Sequence, residues 1–443
     1  MANKSFSLFD FCKKRADKVQ IFGEESLDEE GNVISFIDQA ALVTHFLQLR
    51  HSKVDTPYAG KAESILHLWY EFIRGERSQR PNDFVGVAES EYGYQNYLFP
   101  DLFQEPFPAP KNLKFTFIDL FAGIGGFRMA FQNLGGECVF SSEWDEQAKK
   151  TYFANYGEVP FGDITKESTK NKIPKDFDIL CAGFPCQAFS LAGKKLGFAE
   201  TRGTLFFDVA EILRRYQPKA FFLENVKGLA IHDKGKTLKT ILNTLDEVGY
   251  IVPEPQIVNA MYFGVPQHRE RIYIVGFRKD LGLSAEDFTY PEQKEVTKKW
   301  IDVREEKPVP AKYYLSTTYQ QTLINHKARH AAKGNGFGYD IIPDDGVSHA
   351  IVVGGMGRES NLVIDFRQKD LTPTTNIKGT VNTDGWRKMT PREWARLQGY
   401  PDTFKIVVSD ASAYKQFGNS VAVPAIQATA TQLLKSLQDK KIL

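Results

Sequence analysis

Chemistry in this chain gathers around one cysteine. Cys12, Cys138, Cys181 and Cys186 include no CxxC pair and no Cys/His spacing suited to zinc, so neither a disulfide framework nor a metal site is expected. Cys186 stands in Ala182-Gly-Phe-Pro-Cys-Gln-Ala-Phe-Ser190, directly after the apolar run Phe177-Asp-Ile-Leu-Cys181. That places it at the carboxyl end of a strand, where open α/β sheets hold their active sites, with Pro185 fixing the backbone before it. Cys181 lies inside the apolar run and reads as a small buried hydrophobe. Two further groups belong with Cys186. Glu224 closes the next apolar run, KAFFLENV, and Arg269 and Arg271 open another, in QHRERIYIVGF. A thiolate, a carboxyl group and guanidinium groups converging on one sheet edge suit covalent attack on an electron-poor ring, with proton donation and charge stabilisation beside it.

A second constellation precedes it. Phe117-Ile-Asp-Leu-Phe-Ala-Gly-Ile-Gly-Gly-Phe127 is a strand running through a glycine turn into a helix. Such glycines let the backbone bend and a ligand approach a helix N-terminus, although many tight turns look the same. Glu143 ends the following apolar run, where a carboxylate can accept from ribose hydroxyls, and Asp163 ends the next, placed for a nucleobase edge. Any one strand-end acid is ordinarily a solvated loop residue. Three successive strand ends carrying a glycine turn, Glu143 and Asp163 point to a nucleotide-like cofactor.

These residues must be positioned by a regular frame. From Lys114 short apolar runs (FTFIDLF, ECVFSSE, FDILCAGF, KAFFLENV, RIYIVGF) alternate with helical text, which implies a mostly parallel, doubly wound sheet with helices on both faces. The alternation stops near Phe277. Residues 278–385 are rich in Gly, Pro and Thr without a sustained period, and helical text returns at Pro391–Leu397 and Ala422–Lys440. Ahead of the sheet, Phe36–Arg50 and Lys61–Arg77 have helical spacing, and Pro-rich text at 99–110 reads as a linker. The expected organisation is a separate, mostly helical extension over 1–113, a catalytic domain over 114–277, a smaller loop-rich domain over 278–400, and a segment over 401–443 that returns to the catalytic domain.

The net charge of +1 conceals a split: residues 1–113 carry −5 and the remainder +6. A modest basic excess suits a nucleic-acid cleft, whereas the acidic first segment is not expected to bind DNA by itself. No apolar run approaches the roughly 20 residues of a membrane span, and Met1–Lys18 lacks the apolar core of a signal peptide, so a cytoplasmic protein is expected.

The ordered set IDLFAGIGGFR, GFPCQAFS, ENV, QHRERIYIVGF, MTPREWARLQGYPDTF and QFGNSVAVPAI resembles the motif series of the DNA (cytosine-5) methyltransferases, over residues 115 to about 430. The resemblance implies a Rossmann-like methyltransferase sheet with a smaller, loop-rich target-recognition domain. It also implies S-adenosylmethionine as methyl donor, with S-adenosylhomocysteine as product. Cys186 would add to cytosine C6, Glu224 would hydrogen-bond N3 and the exocyclic amine, and Arg271, with Arg269 near it, would contact the base oxygen and the catalytic loop. Around the cofactor it would bring Phe121, Glu143, Trp144, Asp163 and Asn419. Asp119, Gly123, Gly125 and Gly126 of the glycine turn, Ile164 beside Asp163, and Phe184 and Pro185 before the cysteine complete the set. Asn419, in Gly-Asn-Ser, reads by itself as an ordinary turn residue.

Cytosine C6 is inaccessible inside a duplex, so such chemistry needs a flipped base and a closing loop. Leu191–Gly203 fits that loop: Gly193 and Gly197 permit movement, and Lys194, Lys195 and Arg202 can meet phosphates. In the later segment Arg358, within VVGGMGR, is the candidate base reader, since Arg bidentate to guanine is the commonest specific contact; a phosphate contact is the alternative. This segment and RKMTPREWARLQGYPD resemble most closely the HpaII-type modification methylases of type II restriction–modification systems. They imply CCGG as the site and its inner cytosine as the target, although the catalytic segment also resembles methylases of the outer cytosine. Double-stranded DNA is the expected partner of a monomeric enzyme, and a cognate endonuclease needs no direct contact. Two other readings share the motifs: an RNA (tRNA) cytosine-5 methyltransferase, and an inactive DNA-binding relative, which should have lost Cys186, Glu224 or the glycine turn. This chain retains all three.

Overall fold

The apolar runs of the middle of the chain assemble into one sheet. The computed structural model describes residue 27 and residues 33–49, 52, 54–78, 105–185, 205–354, 357–373 and 379–443. Strands β1 (Phe115–Leu120), β2 (Gly136–Ser142), β3 (Ile179–Gly183) and β4 (Ala220–Val226) are mutually parallel, in the order β2-β1-β3-β4. Beside β4 lies β8 (Glu270–Arg278), and its far edge is shared by the short strands β5 (Tyr250–Ile251) and β6 (Gln256–Asn259). The fifth long run departs from the parallel expectation, because β8 is antiparallel to β4 and pairs Val226 with Arg271 and Glu224 with Tyr273. Reversal brings the start of β8, not its end, to the edge where β1, β3 and β4 terminate. The region ahead of Asp163 is only a single bridge, Ser142 to Phe161, rather than a strand.

Alternation along the strands gives the sheet two apolar faces. Ile118, Leu120, Val139, Leu180, Leu223 and Ile274 share one core with α6 (Leu205–Tyr216) and α7 (Lys236–Glu247). Phe117, Cys138, Cys181, Phe222 and Val275 share the other with α3 (Gly126–Gln132), α9 (Pro391–Leu397), α10 (Asp410–Asn419) and α11 (Val423–Asp439). Between β2 and β3 lie α4 (Glu146–Tyr156), started by Asp145 accepting from the N–H groups of Gln147 and Ala148, and the single turn α5 (Glu167–Lys170).

The helices of the first segment are α1 (Phe36–Leu49) and α2 (Ala59–Ser78). They do not stand apart. Ala40, Ala41 and Val43 are fully buried and belong to the same core as β2 and Phe161, so α1 completes the helix layer on the face covered by α6 and α7.

Short pieces predominate in 278–385 and pair with its flanks: β9 (Ser348–His349) with β7 (Gln267–His268) before it, and β10 (Leu362–Ile364) with β11 (Trp386–Lys388) just after it. The segment also contains a four-turn helix, α8 (Thr317–Ala331), capped by Ser316, where the sequence predicts irregular chain. Of its residues only Gln320 and Leu323 are buried, so it carries no apolar stripe. A fully buried Arg387, ion-paired to Glu393 and Asp365, ties β11 to α9.

Candidate active site

Strand β3 delivers the backbone to Gly183, Phe184 and an exposed Pro185. Cys186 itself, with Lys194, Lys195 and Arg202, lies outside the described residues. The groups beside that strand end are defined. A methyl placed on Gly183 would sit 3.6 Å from Glu224 Oε2, so the carboxyl leans over the start of the Gly183-Phe-Pro-Cys186 segment. Glu224 Oε1 lies 3.1 Å from Arg271 Nε. Burial pushes the Glu224 carboxyl above the ordinary carboxylate range, and Arg271 and Arg269 pull it part of the way back. A group so placed is poised to hold a proton as well as a charge.

Asn225, next to Glu224, was not singled out by sequence. Its Nδ2 donates to Phe184 O at 2.8 Å while its Oδ1 accepts from Val226 N–H at 2.8 Å. It therefore fixes the backbone two residues before Cys186. The run ENV was visible, but nothing in composition separated this clamp from a strand-end asparagine.

Arg269 is buried and pointed elsewhere. Its Nη1 donates to Ile351 O at 2.8 Å, and its Nη2 to Ser420 O at 2.6 Å and Gly418 O at 3.2 Å. Burial and the neighbouring Arg271 lower this guanidinium to about 9, which still leaves it charged at neutral pH. Gln267 donates to Leu397 O, Gln398 donates to Phe417 O, and Tyr400 and Ser420 share a hydroxyl bond. The motifs QHRER, QGYP and GNS thus form one polar floor below the strand ends. Asn419 is the exposed last residue of α10, beside that floor, rather than part of a free turn.

The glycine turn faces the same edge. Phe121 and Gly123 have φ of 56° and 57°, and Gly125 has φ of 83°. A methyl on Gly125 would fall 2.3 Å from the Tyr156 ring and one on Gly126 2.7 Å from Val421, so these two permit close packing. Around Gly123 a methyl would meet nothing within 4 Å, leaving a cradle open above the turn. Glu143 Oε2 accepts from Gly123 N–H at 2.9 Å and Oε1 from Asp145 N–H at 2.8 Å, which locks the carboxylate beside the cradle. Trp144 follows with 80% of its surface exposed, a large aromatic face left open among the described residues. Asp163 Oδ1 accepts from the N–H and hydroxyl of Thr165, and Ile164 is buried beside it. Asp119 is buried, its carboxyl met by no side-chain donor among the described residues and only by the Arg128 backbone N–H, and burial raises it to about 8. Phe184 is buried against Phe206. Arg358 is exposed, its guanidinium 5.4 Å from the Tyr414 ring centre, far along the chain from these groups.

Cys138 and Cys181 are buried, and burial raises both thiols well above their usual range. Neither is a nucleophile. No group of His, Cys, Asp and Glu among the described residues could hold a metal ion, and no described helix is long and apolar enough to cross a membrane.

The chain is similar to known proteins. A family model described as C-5 cytosine-specific DNA methylase matches residues 115–435. The type II methyltransferase M.HpaII of Haemophilus parainfluenzae is 73% identical over 325 residues, which is 73% of this chain and 90% of that protein. M.SsoII of Shigella sonnei is 47% identical over 340 residues, covering 76% of this chain and 84% of the relative. Among solved structures, the Dnmt2 methyltransferase of S. pombe superposes with a TM-score of 0.55 at 19% identity, over 73% of this chain and 99% of that one, which supports the fold. The chain belongs to the C-5 cytosine-specific DNA methylases and is a DNA (cytosine-5) methyltransferase of the type II restriction–modification kind.

Proposed function

We propose that the protein methylates C5 of the inner cytosine of CCGG in duplex DNA, using S-adenosylmethionine, as the modification enzyme of a restriction–modification pair. The observation that carries the chemistry is the Glu224–Arg271 pair leaning over Gly183 at the head of the segment that ends in Cys186. The recognition sequence is supported by the 73% identity to M.HpaII.

The cofactor fits the residues present. An open cradle over Gly123, a carboxylate locked beside it in Glu143, an exposed Trp144 face and a buried Asp119 below the turn suit an adenosine-type ligand. Glu143 would accept from the ribose hydroxyls, Trp144 would cover the adenine, and Asp163 would meet its edge, with Phe121, Gly125, Gly126, Ile164, Phe184, Pro185 and Asn419 completing the walls. When bound, the cofactor supplies a methyl group on a sulfonium, transferable as CH3+.

The protein's own residues do the rest. Cys186 Sγ bonds to C6 of the flipped cytosine, and the C5–C6 π electrons become available at C5. Glu224 holds a proton at N3 and accepts from the exocyclic amine, so charge developing on the ring is neutralised where it appears. Arg271 fixes the Glu224 carboxyl and reaches the base oxygen. With a methyl on C5, the C5 proton would pass to a water molecule, its bonding electrons would re-form the C5–C6 double bond, and Cys186 would leave C6 as thiolate. Arg269 serves as a positioning residue, holding the floor that joins Ile351, Gly418 and Ser420.

Residues 278–400 form the target-recognition domain in this reading, with Arg358 at a base or phosphate, while Lys194, Lys195 and Arg202 grip the backbone around a flipped nucleotide. The enzyme acts as a cytoplasmic monomer on nucleoid DNA and meets its endonuclease only through shared sites. Bisulfite sequencing of plasmid from cells expressing the protein is the test. Protection of the inner cytosine at CCGG, and nowhere else, is expected; methylation of the outer cytosine or of another sequence overturns the assigned site.

A further inference from the structure

The segment ahead of residue 115 lies outside the family match, yet α1 is built into the catalytic domain beside the two acids assigned to the cofactor. Its buried face carries polar groups that meet specific partners. Thr44 Oγ1 accepts from Val159 N–H at 3.0 Å. His45 is fully buried, with Nδ1 2.9 Å from Ala41 O and Nε2 3.1 Å from Glu158 Oε1. Glu158 in turn accepts from Arg128 at 2.8 Å and from Ser141 Oγ at 2.7 Å. A buried charge network of this kind is costly to break, because removing one partner strands the others.

The His45 ring has a second contact. It stacks on Phe161 with centroids 4.2 Å apart and planes 25° apart, and the Phe140 ring stacks on Phe161 at 5.1 Å. Phe161, His45 of α1 and Phe140 of β2 thus form one ring cluster, His45 and Phe140 themselves meeting at 6.3 Å, with the Tyr58 ring edge-on to Phe161 at 5.3 Å. Its backbone N–H donates to Ser141 O, and Glu143 N–H donates to Phe161 O, each at 2.9 Å. Glu143 is therefore bonded to Phe161, and Asp163 follows it by two residues. Asp38, in the first turn of α1, reaches the same place: its Oδ1 is 3.7 Å from where a methyl on Gly162 would be. It also shares the buried Lys149 with Glu143 and Glu146 as charge neighbours.

From these contacts we infer that α1 is a positioning element for the cofactor site, and that His45 acts through Phe161 to hold Glu143 and Asp163 in place. The inference rests on the assignment of S-adenosylmethionine to that site. His45 and Asp38 are positioning residues; neither needs to touch the ligand. A helix that merely stabilised the protein would influence both substrates alike. One that sets the two acids affects the cofactor and leaves DNA untouched.

The experiment uses the full chain with His45→Ala, His45→Phe and Asp38→Asn, measuring kcat, KM for S-adenosylmethionine, KM for a CCGG duplex, and equilibrium binding of S-adenosylmethionine. We expect His45→Ala to raise the cofactor KM and Kd about tenfold, equivalent to ~1.4 kcal/mol, with kcat at saturating cofactor and KM for DNA within about twofold of the parent. His45→Phe, which keeps a ring on Phe161, should recover most of that loss. Asp38→Asn, on a half-exposed side chain where the amide oxygen can still accept from Ser35 Oγ at the start of α1, should raise the cofactor KM in the same sense, and serves if the His45 variants do not fold. Unchanged cofactor KM in folded variants, or an equal rise in both KM values with a fall in kcat, overturns the inference. If the unaltered protein binds no S-adenosylmethionine, the cofactor assignment fails instead.

Discussion

Glu224 and Arg271 meet at 3.1 Å because β8 runs against β4, setting Arg271 opposite Val226, two residues past the carboxylate. In a parallel arrangement the arginine would emerge at the other end of the sheet. The pair has a direct consequence for catalysis. Glu224→Gln retains the shape but removes the proton held at N3, and kcat is expected to fall by about 10²–10⁴-fold. Methyl transfer from radiolabelled cofactor, with circular dichroism confirming the fold, measures it. Arg271→Ala should lower kcat in the same direction, since the carboxyl then loses the partner that orients it.

The nucleophile admits a sharper test. Cys186→Ser should reduce methylation by several orders of magnitude while cofactor affinity stays near that of the parent, as expected when one member of a catalytic unit is removed. A duplex with 5-fluorocytosine at the target position should leave a covalent complex that survives denaturation, because C5 then has no proton to lose. Methylation at the parental rate by the serine variant would remove Cys186 from the mechanism.

Two glycines two residues apart, Gly123 and Gly125, should respond differently to alanine. At Gly125 the new methyl meets the Tyr156 ring at 2.3 Å under a φ of 83°, so Gly125→Ala should cost more than about 2 kcal/mol in stability, overpacking adding to left-handed strain. At Gly123 the methyl enters open space, so only backbone strain of about 1–2 kcal/mol applies. Gly123→Ala should therefore stay folded yet bind S-adenosylmethionine at least several-fold more weakly. Urea midpoints together with cofactor titration separate the two effects.

Asp119 should leave a mark on the pH dependence of stability. Burial raises its carboxyl to about 8, against about 3.9 in an unfolded chain. Between those values the native state keeps a proton that the unfolded state has released, so this group makes stability fall as pH rises from about 4 to 8, by at most ~1.4 kcal/mol per pH unit. Glu158, held down to about 2 by Arg128 and His45 in spite of its burial, adds an opposite, rising slope only near pH 4–5, where the unfolded glutamate (about 4.3) still binds protons, and none above about pH 6. Urea midpoints at pH 5, 6, 7 and 8 should decline less steeply in Asp119→Asn. Equal slopes in parent and variant would contradict the assignment.

The strands and the site were legible in the sequence to different depths. Apolar runs marked β1, β2, β3, β4 and β8 because each is buried on both faces, and the acids at their ends followed from position. Strand direction is not encoded in such a run, so the reversal of β8 was invisible. Helix α8 escaped because it is polar nearly all round, and its signal was confined to the Ser316 cap. In α1 the helix was plain but its docking was not: His45 inside an apolar stretch was the one clue that a polar partner waited on another element. Arg269 shows a similar limit. Its place next to Arg271 suggested a shared task, whereas alternation and a short turn send its guanidinium to backbone carbonyls over 80 residues away.

Helix α11 closes the sheet face that carries Phe117, Cys181 and Val275, packing against α3, which follows β1 directly. Every other element of the sheet and its helix layers is translated before it. During synthesis that face stays incompletely covered until α11 emerges, and the polar floor lacks Ser420 until nearly the same moment. Until then the nascent chain presents apolar surface open to aggregation and chaperone capture. It also means that methylation competence arrives in one late step, so an interrupted message produces chains that cannot mark DNA.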